Sequence, residues 1–207
     1  MFLNVRWSMK GVGVVDVAGA PRYAGWRLTA DEYFELEDDG FRYELVDGVA
    51  LLSPSRSLEH QSLAGELLYP IMRHIRDGKL GKLLCSLDVR FAENLVYCPD
   101  MVFFTGPRAA TIRNRPTIPP DFIVEVVASA TRAMDLRTKR DDYARYGVRE
   151  YWAIGREEAW KFVLRDGKYV AEEITGDRLA SEVIAGFVLD LRGARAGSVG
   201  GDESGEE

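Results

Sequence analysis

The chain has 207 residues, which is long enough for one substantial hydrophobic core but too short for two domains of typical size. We therefore expect a single domain. Its hydrophobic content of 46% beside 29% charged residues is ordinary for a globular protein and excludes disordered and fibrous classes. The formal net charge of −6 does not by itself favour a nucleic-acid partner, and no run of about eighteen apolar residues predicts a membrane-spanning helix.

The positive charge is concentrated in one segment. Between Arg108 and Arg149 nine Lys and Arg residues face five Asp and Glu residues, so this segment carries +4 within a chain of −6. Such a segment fits a phosphate substrate, although basic residues often form only a solvated surface. An apolar stretch near the N-terminus loosely resembles a signal peptide, but Asp16 interrupts it, and we expect a cytoplasmic protein.

Cysteine and histidine give no sign of a zinc site. Cys85 and Cys98 do not form a CxxC pair, and His60 and His74 lack the spacing of zinc ligands. We therefore expect reduced cysteines in core or strand positions.

The elements follow from periodicity and from capping and turn residues. Thr29 and Glu32 have the spacing of a capping box, and Asp47-Gly48 is the two-residue turn that best matches the twist of two strands. An apolar stripe at helical spacing is formed by Leu63, Leu67, Leu68, Ile71 and Ile75, and His60, Gln61 and His74 lie off it. Residues 1–27 show no sustained periodicity and predict a loose arm, and the acidic residues 192–207 predict a disordered tail. Between them we predict helices over 29–37, 58–76 and 131–146, hairpins over 43–52 and 159–174, and strands over 83–91, 100–104, 122–127, 150–154 and 187–191. Residues 105–120 predict a loop.

Two of these strands each carry one acid. Asp100 stands at the start of its strand, and Glu125 interrupts the otherwise apolar run Ile-Val-Glu-Val-Val. Because a buried carboxylate without a partner costs several kcal/mol, such an acid requires compensation by a cation. Two carboxylates with waters suit Mg²⁺ or Mn²⁺ better than zinc. Alternatively, Asp100 caps a turn after Pro99 and Glu125 pairs with an arginine.

A third acid, Glu44, lies in the first hairpin. The two-residue period places Glu44 and Val46 on one face of the strand, opposite Tyr43 and Leu45. From the residues alone, a solvent-facing position on an edge hairpin explains Glu44 best.

The order of several motifs resembles a known family. They are Tyr-Glu-Leu-Val-Asp-Gly at 43–48, Pro99-Asp100, Val124-Glu125-Val126, Lys139, Tyr143 and Gly-Val-Arg-Glu-Tyr-Trp at 147–152. This order is similar to that of the Uma family of restriction-endonuclease-like proteins, within the PD-(D/E)xK nuclease superfamily, over residues 28–191. The resemblance implies an α/β (α+β) fold, with a mixed β-sheet flanked by helices and with N-terminal and C-terminal β-hairpins. It also implies metal-dependent cleavage of phosphodiester bonds.

The resemblance assigns roles to individual residues. Asp100 matches the aspartate of the superfamily motif, Glu125 matches its second acid, and Glu44 matches an acid that an early element contributes. Val127 stands where the motif has lysine, and its hydrocarbon side chain cannot stabilise a developing charge. The resemblance implies Lys139, on the next helix, as the substitute. The alternative for Lys139 is a surface pair with Asp135 at i,i+4, which contributes about 0.2–0.5 kcal/mol.

These roles predict a Mg²⁺-dependent or Mn²⁺-dependent DNA endonuclease. Asp100, Glu125, the carbonyl of Val126 and Glu44 would hold the metal, and Lys139 would orient or deprotonate the attacking water. Four arginines are candidates for contacts with non-scissile phosphates: Arg113, Arg115, Arg137 and Arg140.

Two other functions are open from the sequence. One is a catalytically silent module that binds nucleic acid or another protein, and the other is a phosphodiesterase acting on RNA. Nucleases that cut both strands often act as homodimers, although nothing in the sequence marks an interface.

Overall fold

A computed structural model describes residues 19–113, 115–172, 174 and 177–196, together with the backbone of two short strands before them. The strands are β1 (Val5–Arg6), β2 (Val14–Val15), β3 (Tyr43–Val46), β4 (Val49–Leu52), β5 (Gly81–Cys85), β6 (Val89–Ala92), β7 (Leu95–Tyr97), β8 (Met101–Thr105), β9 (Phe122–Val126), β10 (Glu150–Ile154), β11 (Ala159–Arg165), β12 (Lys168–Glu172), β13 (Arg178–Ala180) and β14 (Val188–Asp190). The helices are α1 (Ala30–Phe34), α2 (Leu58–Gly78), α3 (Gly106–Ala109), α4 (Arg140–Arg145) and α5 (Leu191–Ala196), with a π-helical turn at Met134–Lys139.

The chain divides into two compact units, residues 1–54 with 92–97, and residues 55–91 with 98–207. In the first unit, the predicted capping box starts α1, because Thr29 accepts from the Glu32 amide and Glu32 accepts from the Thr29 amide. The predicted hairpin is confirmed as β3 and β4. Asp47 and Gly48 both take the positive φ that its two-residue turn requires.

The core of the first unit is aromatic. Tyr23, Tyr33 and Tyr43 are buried with Leu45 and Val96, and partly buried Trp26 and Phe41 pack against them. Strand β3 pairs with β4 on one side and with β7 on the other, so the strand that carries Glu44 is not an edge strand.

The second unit is built on a six-stranded mixed sheet in the order β12-β11-β10-β9-β8-β5. Strands β9 and β10 are parallel, and every other neighbouring pair is antiparallel. Parallel neighbours need a crossover connection, and here the connection contains the π-helical turn and α4. The central strands β9 and β10 are buried at every position. The fold class that the sequence predicts, a mixed sheet flanked by helices, is confirmed.

Helix α2 packs its predicted apolar stripe on this sheet. Leu63, Leu67, Ile71 and Ile75 are buried in one cluster with alternate residues of β9, Phe122, Val124 and Val126. Since side chains alternate across a strand, Glu125 faces away from that cluster. The packing of α2 thus fixes the register that directs the acid of β9 to the other side of the sheet.

Several element predictions need correction. The strand predicted over 83–91 is interrupted at Ser86, which has φ of 51°, and it continues as β6. The chain then passes through β7 before the Asp100 strand begins, and the predicted loop 105–120 contains α3. The C-terminal edge strand β14 pairs with β13, which the sequence did not predict.

Both predicted ends lie mostly outside the described residues. Residues 1–4, 7–13 and 16–18 of the predicted arm are outside them, as are residues 197–207 of the predicted tail. The first residues of that tail form α5. Among the helices that the structure describes, none has the length and apolarity needed to cross a membrane.

Candidate active site

Asp100 and Glu125 are neighbours across two strands. Met101 of β8 lies opposite Val124 of β9, so the antiparallel register places Asp100, one residue earlier, beside Glu125, one residue later. The Asp100 amide donates to Glu125 Oε2 at 3.2 Å, and the Val126 amide donates to Asp100 Oδ2 at 2.9 Å. The backbone therefore holds the two carboxylates side by side.

Lys139 reaches this acid pair from the crossover. Its Nζ lies 3.0 Å from Glu125 Oε1, and its side chain is only 8% exposed. The phenol of Tyr143, one helical turn further on, donates to the same oxygen at 2.8 Å. The buried acid of β9 is thus compensated by a cation, as the sequence argument required, and that cation is a lysine and not an arginine.

A π-helical turn presents Lys139. Helix 131–146 was predicted as a continuous α-helix, but Met134–Lys139 are wound as a π-helix before α4 begins. Such turns are rare and occur frequently at functional sites, because the extra residue shifts the angular position of the side chains that follow. The shift is not visible in the apolar periodicity, so the sequence could not predict it.

Asp135 also belongs to this cluster. Its carboxylate is buried and lies 3.7 Å from Lys139 Nζ at i,i+4. The sequence offered this pair as an exposed alternative to a site lysine, whereas in the structure Lys139 lies near both Asp135 and Glu125. The two interpretations are compatible, and the pair is buried.

Asp100 has two partners that the sequence argument missed. Arg56 Nη2 lies 2.5 Å from Asp100 Oδ1, and His60 Nε2 lies 3.2 Å from Oδ2. His60 lies in the first turn of α2, where Ser57 accepts from the His60 amide as N-cap, and Arg56 lies directly before that cap. His60 lies off the apolar stripe one turn after the cap, and this was the available signal. Its Nδ1 is buried without a hydrogen-bond partner among the described residues.

The surroundings of Asp100 favour its charged form. Burial raises the pKa of this carboxyl, but the hydrogen bond and charge of His60, the Val126 amide and the charge of Arg56 together lower the pKa below its ordinary value. Nearby, burial together with the charges of Glu125 and Asp135 raises the pKa of the Tyr151 phenol well above its usual range. The partners of Asp100 therefore favour its ionised form, in which its oxygens can accept a cation.

The other two predicted metal ligands, Glu44 and the Val126 carbonyl, are described by their positions in the strands. Glu44 is half-buried on β3 of the first unit, and Val126 is the last residue of β9. Across the described ranges, no three His, Cys, Asp or Glu side chains cluster to hold a metal ion. Mg²⁺ is often bound by one or two carboxylates with waters, so the oxygen donors of Asp100 and Glu125 fit such an ion.

The basic segment is largely engaged within the protein. Arg108 and Arg149 both lie near the buried Asp121, and Arg132 pairs with Glu158. The four arginines predicted to bind phosphates are placed as follows: Arg113 donates to the carbonyls of its own turn, Arg140 pairs with Asp141, and Arg115 and Arg137 are exposed. Arg137 lies in the π-helical turn that presents Lys139.

Comparison with known proteins gives a family and a fold. No curated protein matches the sequence. A crystal structure described as "a putative nuclease belonging to DUF820" from Anabaena variabilis is similar over 83% of this chain and 99% of its own, with a TM-score of 0.72 and 16% identity, which shows a shared fold. A family profile described as "Putative restriction endonuclease" matches residues 30–192. The chain belongs to this family, Uma2, and the resemblance that its motifs indicated is confirmed.

Proposed function

We propose that this chain is a metal-dependent endonuclease that hydrolyses phosphodiester bonds of DNA. The observation that supports the proposal best is the convergence on one strand end of Asp100, Glu125 and Lys139, with the lysine 3.0 Å from the glutamate. Two adjacent carboxylates can hold a divalent ion, and a neighbouring ammonium can stabilise the negative charge that develops when a phosphodiester is hydrolysed. Membership of a family described as restriction endonucleases agrees with this chemistry.

In the proposed mechanism Asp100 and Glu125 would hold Mg²⁺ or Mn²⁺, with the Val126 carbonyl as a further ligand. The family resemblance makes Glu44 a further candidate ligand. The bound ion would lower the pKa of a water ligand and neutralise charge on the scissile phosphate. The reciprocal amide bonds keep the two carboxylates oriented, so little reorganisation is needed when the ion binds.

Lys139 supplies the charge that Val127 cannot. Its ammonium is held by Glu125 and Asp135, and we propose that it orients the attacking water and stabilises charge in the transition state, whereas deprotonation of that water would require Lys139 as the neutral amine. Because the lysine is buried beside two acids, its stem is fixed before substrate arrives. Arg137, exposed on the same turn, would contact a neighbouring phosphate, with Arg113, Arg115 and Arg140 as further candidates.

Plasmid cleavage tests the proposal. Purified protein is incubated with supercoiled plasmid and Mg²⁺ or Mn²⁺ beside Asp100→Ala, Glu125→Ala and Lys139→Ala, with Glu158→Ala as the control for loss of an exposed acid. We expect nicking by the wild type and the control only. Nicking that survives all three site substitutions would show that the activity comes from elsewhere.

Two further measurements separate the alternatives. DNA binding without nicking under either metal would indicate a catalytically silent binding module, and preferential cleavage of RNA in a competition assay would change the substrate. Glu44→Ala tests the third acid, which we expect to weaken Mn²⁺ binding about 10–100-fold if it is a ligand or orients one.

A further inference from the structure

We propose that Arg56 is a displaceable counter-ion of Asp100. Its guanidinium neutralises the carboxylate. A divalent ion that binds Asp100 would displace the guanidinium, which would then be available to bind a phosphate of the substrate. This inference rests on the proposed function, because it assumes that Asp100 is a metal ligand. It adds a residue of this chain that neither the motif nor the family match assigns.

The two oxygens of Asp100 are held differently. Oδ2 accepts from the Val126 amide at 2.9 Å and lies 3.2 Å from His60, which is fixed on the first turn of α2. Oδ1 is held by Arg56 alone among the contacts that the structure describes for it. An ion can therefore take Oδ1 while the backbone bond to Oδ2 keeps the carboxylate in place.

Arg56 is tethered by side chains. It lies in the segment before the Ser57 cap of α2, and its second amino group donates to Ser86 Oγ at 2.9 Å. Its two partners, Asp100 and Ser86, both lie outside the strands of the sheet. The Arg56 side chain is 19% exposed, whereas that of Lys139 is 8% exposed. Of these two cations, Arg56 is the more exposed and lies outside the helices, so its side chain can move away from the acid pair more easily than that of Lys139.

Charge balance favours a release. Arg56 and Lys139 place two positive charges against the three carboxylates of Asp100, Glu125 and Asp135, a balance of −1. A divalent ion added while both cations stay would change that balance to +1, an excess of positive charge within a few ångströms that is unfavourable at low local dielectric. Release of Arg56 removes one positive charge from the carboxylates. Its planar guanidinium then matches a phosphate through paired N–H donors.

Binding of Mn²⁺ and of DNA tests this exchange without relying on cleavage. Isothermal titration of the full chain with Mn²⁺ is compared between the wild type, Arg56→Ala and Arg156→Ala. The last substitution is a matched control, because Arg156 is an exposed arginine that pairs with Glu59 in the first turn of the same helix.

We expect Arg56→Ala to bind Mn²⁺ about tenfold more tightly, since loss of a charge-assisted bond of ordinary strength corresponds to such a factor. The same variant should bind a short DNA duplex in the presence of Ca²⁺ about tenfold more weakly than the wild type. Arg156→Ala should change neither affinity by more than about twofold. Arg56→Gln, which removes the charge but retains donors for Ser86, provides the same comparison if Arg56→Ala does not fold.

Asp100→Asn distinguishes failure of this inference from failure of the proposed function. Suppose that Asp100→Asn abolishes Mn²⁺ binding, but that removal of the Arg56 charge leaves the Mn²⁺ affinity unchanged or lowers it. Arg56 is then not a competing counter-ion, and Asp100 is still supported as a metal ligand. If Asp100→Asn binds Mn²⁺ as the wild type does, the metal assignment itself is wrong. Tighter Mn²⁺ binding with unchanged DNA affinity would overturn the transfer of Arg56 to a phosphate.

Discussion

Glu125 and Glu150 are buried acids on the adjacent parallel strands β9 and β10. The cost of burying their carboxylates is offset by different kinds of partner. Glu150 accepts from neutral donors only in the contacts described: the Trp152 indole, the Ser181 hydroxyl and the amides of Glu182 and Val183. Glu125 accepts from the Lys139 ammonium and lies beside a second acid.

The difference separates a structural acid from a candidate catalytic one. Glu150 fastens the segment that follows β13 to the sheet, which explains its burial without any ligand. Burial of a carboxylate therefore does not by itself require a cation, because neutral donors can also compensate it. What distinguishes Glu125 is the concentration around it of a second carboxylate and cations.

Matched substitutions of the two glutamates should give the largest contrast. We expect Glu125→Gln to lower the rate of plasmid nicking at least about a hundredfold, because one proposed metal ligand and the carboxylate partner of Lys139 are lost together. Glu150→Gln should leave the rate per folded molecule unchanged and lower the free energy of unfolding by about 1–3 kcal/mol, because an amide nitrogen replaces one acceptor. Nicking rates and urea denaturation measure the two effects. Equal loss of nicking in both variants would contradict the distinction.

Removal of the lysine sharpens the comparison on the stability side. Lys139→Met should lower the free energy of unfolding by about 3–5 kcal/mol, because Glu125 and Asp135 would lose their buried cation. The double variant Lys139→Met with Glu125→Gln should recover part of that loss, since the uncompensated charge of Glu125 is then absent. Urea denaturation of the four proteins closes the cycle. A double variant that is as unstable as the sum of the single variants would contradict direct coupling.

Tyr143 contributes a smaller amount to the same carboxylate. Tyr143→Phe should lower the free energy of unfolding by about 1.5–3 kcal/mol, the range for a hydrogen bond to a charged group. Tyr151→Phe is the matched control, because its phenol donates to the neutral carbonyl of Asp135 and its loss should cost about 1 kcal/mol. Thermal or urea denaturation checks the order, and a larger effect at Tyr151 would reverse it.

Much of the fold was predictable because local rules act over short spans. The capping box at Thr29, the Asp47-Gly48 turn and the stripe of α2 each depend on a few neighbouring residues, and the structure contains all three. The interruption at Ser86 and the pairing of β13 with β14 depend on tertiary contacts that no local pattern reports.

The acid pair was predictable for a similar reason, whereas its surroundings were not. Asp100 and Glu125 stand out because each interrupts an apolar strand, and the resemblance indicated Lys139. Arg56 and His60 lie at least forty residues before Asp100 in the chain. A salt bridge between residues so far apart has no characteristic spacing in the sequence. The π-helical turn likewise does not produce a recognisable periodicity of apolar residues.

The pH dependence of stability should have opposite signs at the two kinds of acid. The pKa of Asp100 is lowered in the folded protein, so its contribution to stability is present above the ordinary value of 3.8 and is lost as pH falls through the lowered value. The pKa of Glu150 is raised, because burial outweighs its hydrogen bonds, so its charged form reduces stability as pH rises above the ordinary value of 4.5.

Difference measurements isolate these two contributions. Subtraction of the unfolding free energy of Asp100→Asn from that of the wild type should give a curve that rises with pH below about 3.8, and the corresponding curve for Glu150→Gln should fall with pH above about 4.5. Urea denaturation between about pH 3 and pH 7 supplies both curves. Slopes of the same sign would show that the cationic and neutral partners compensate these carboxylates alike, and the contrast between the site and the structural acid would then rest on activity alone.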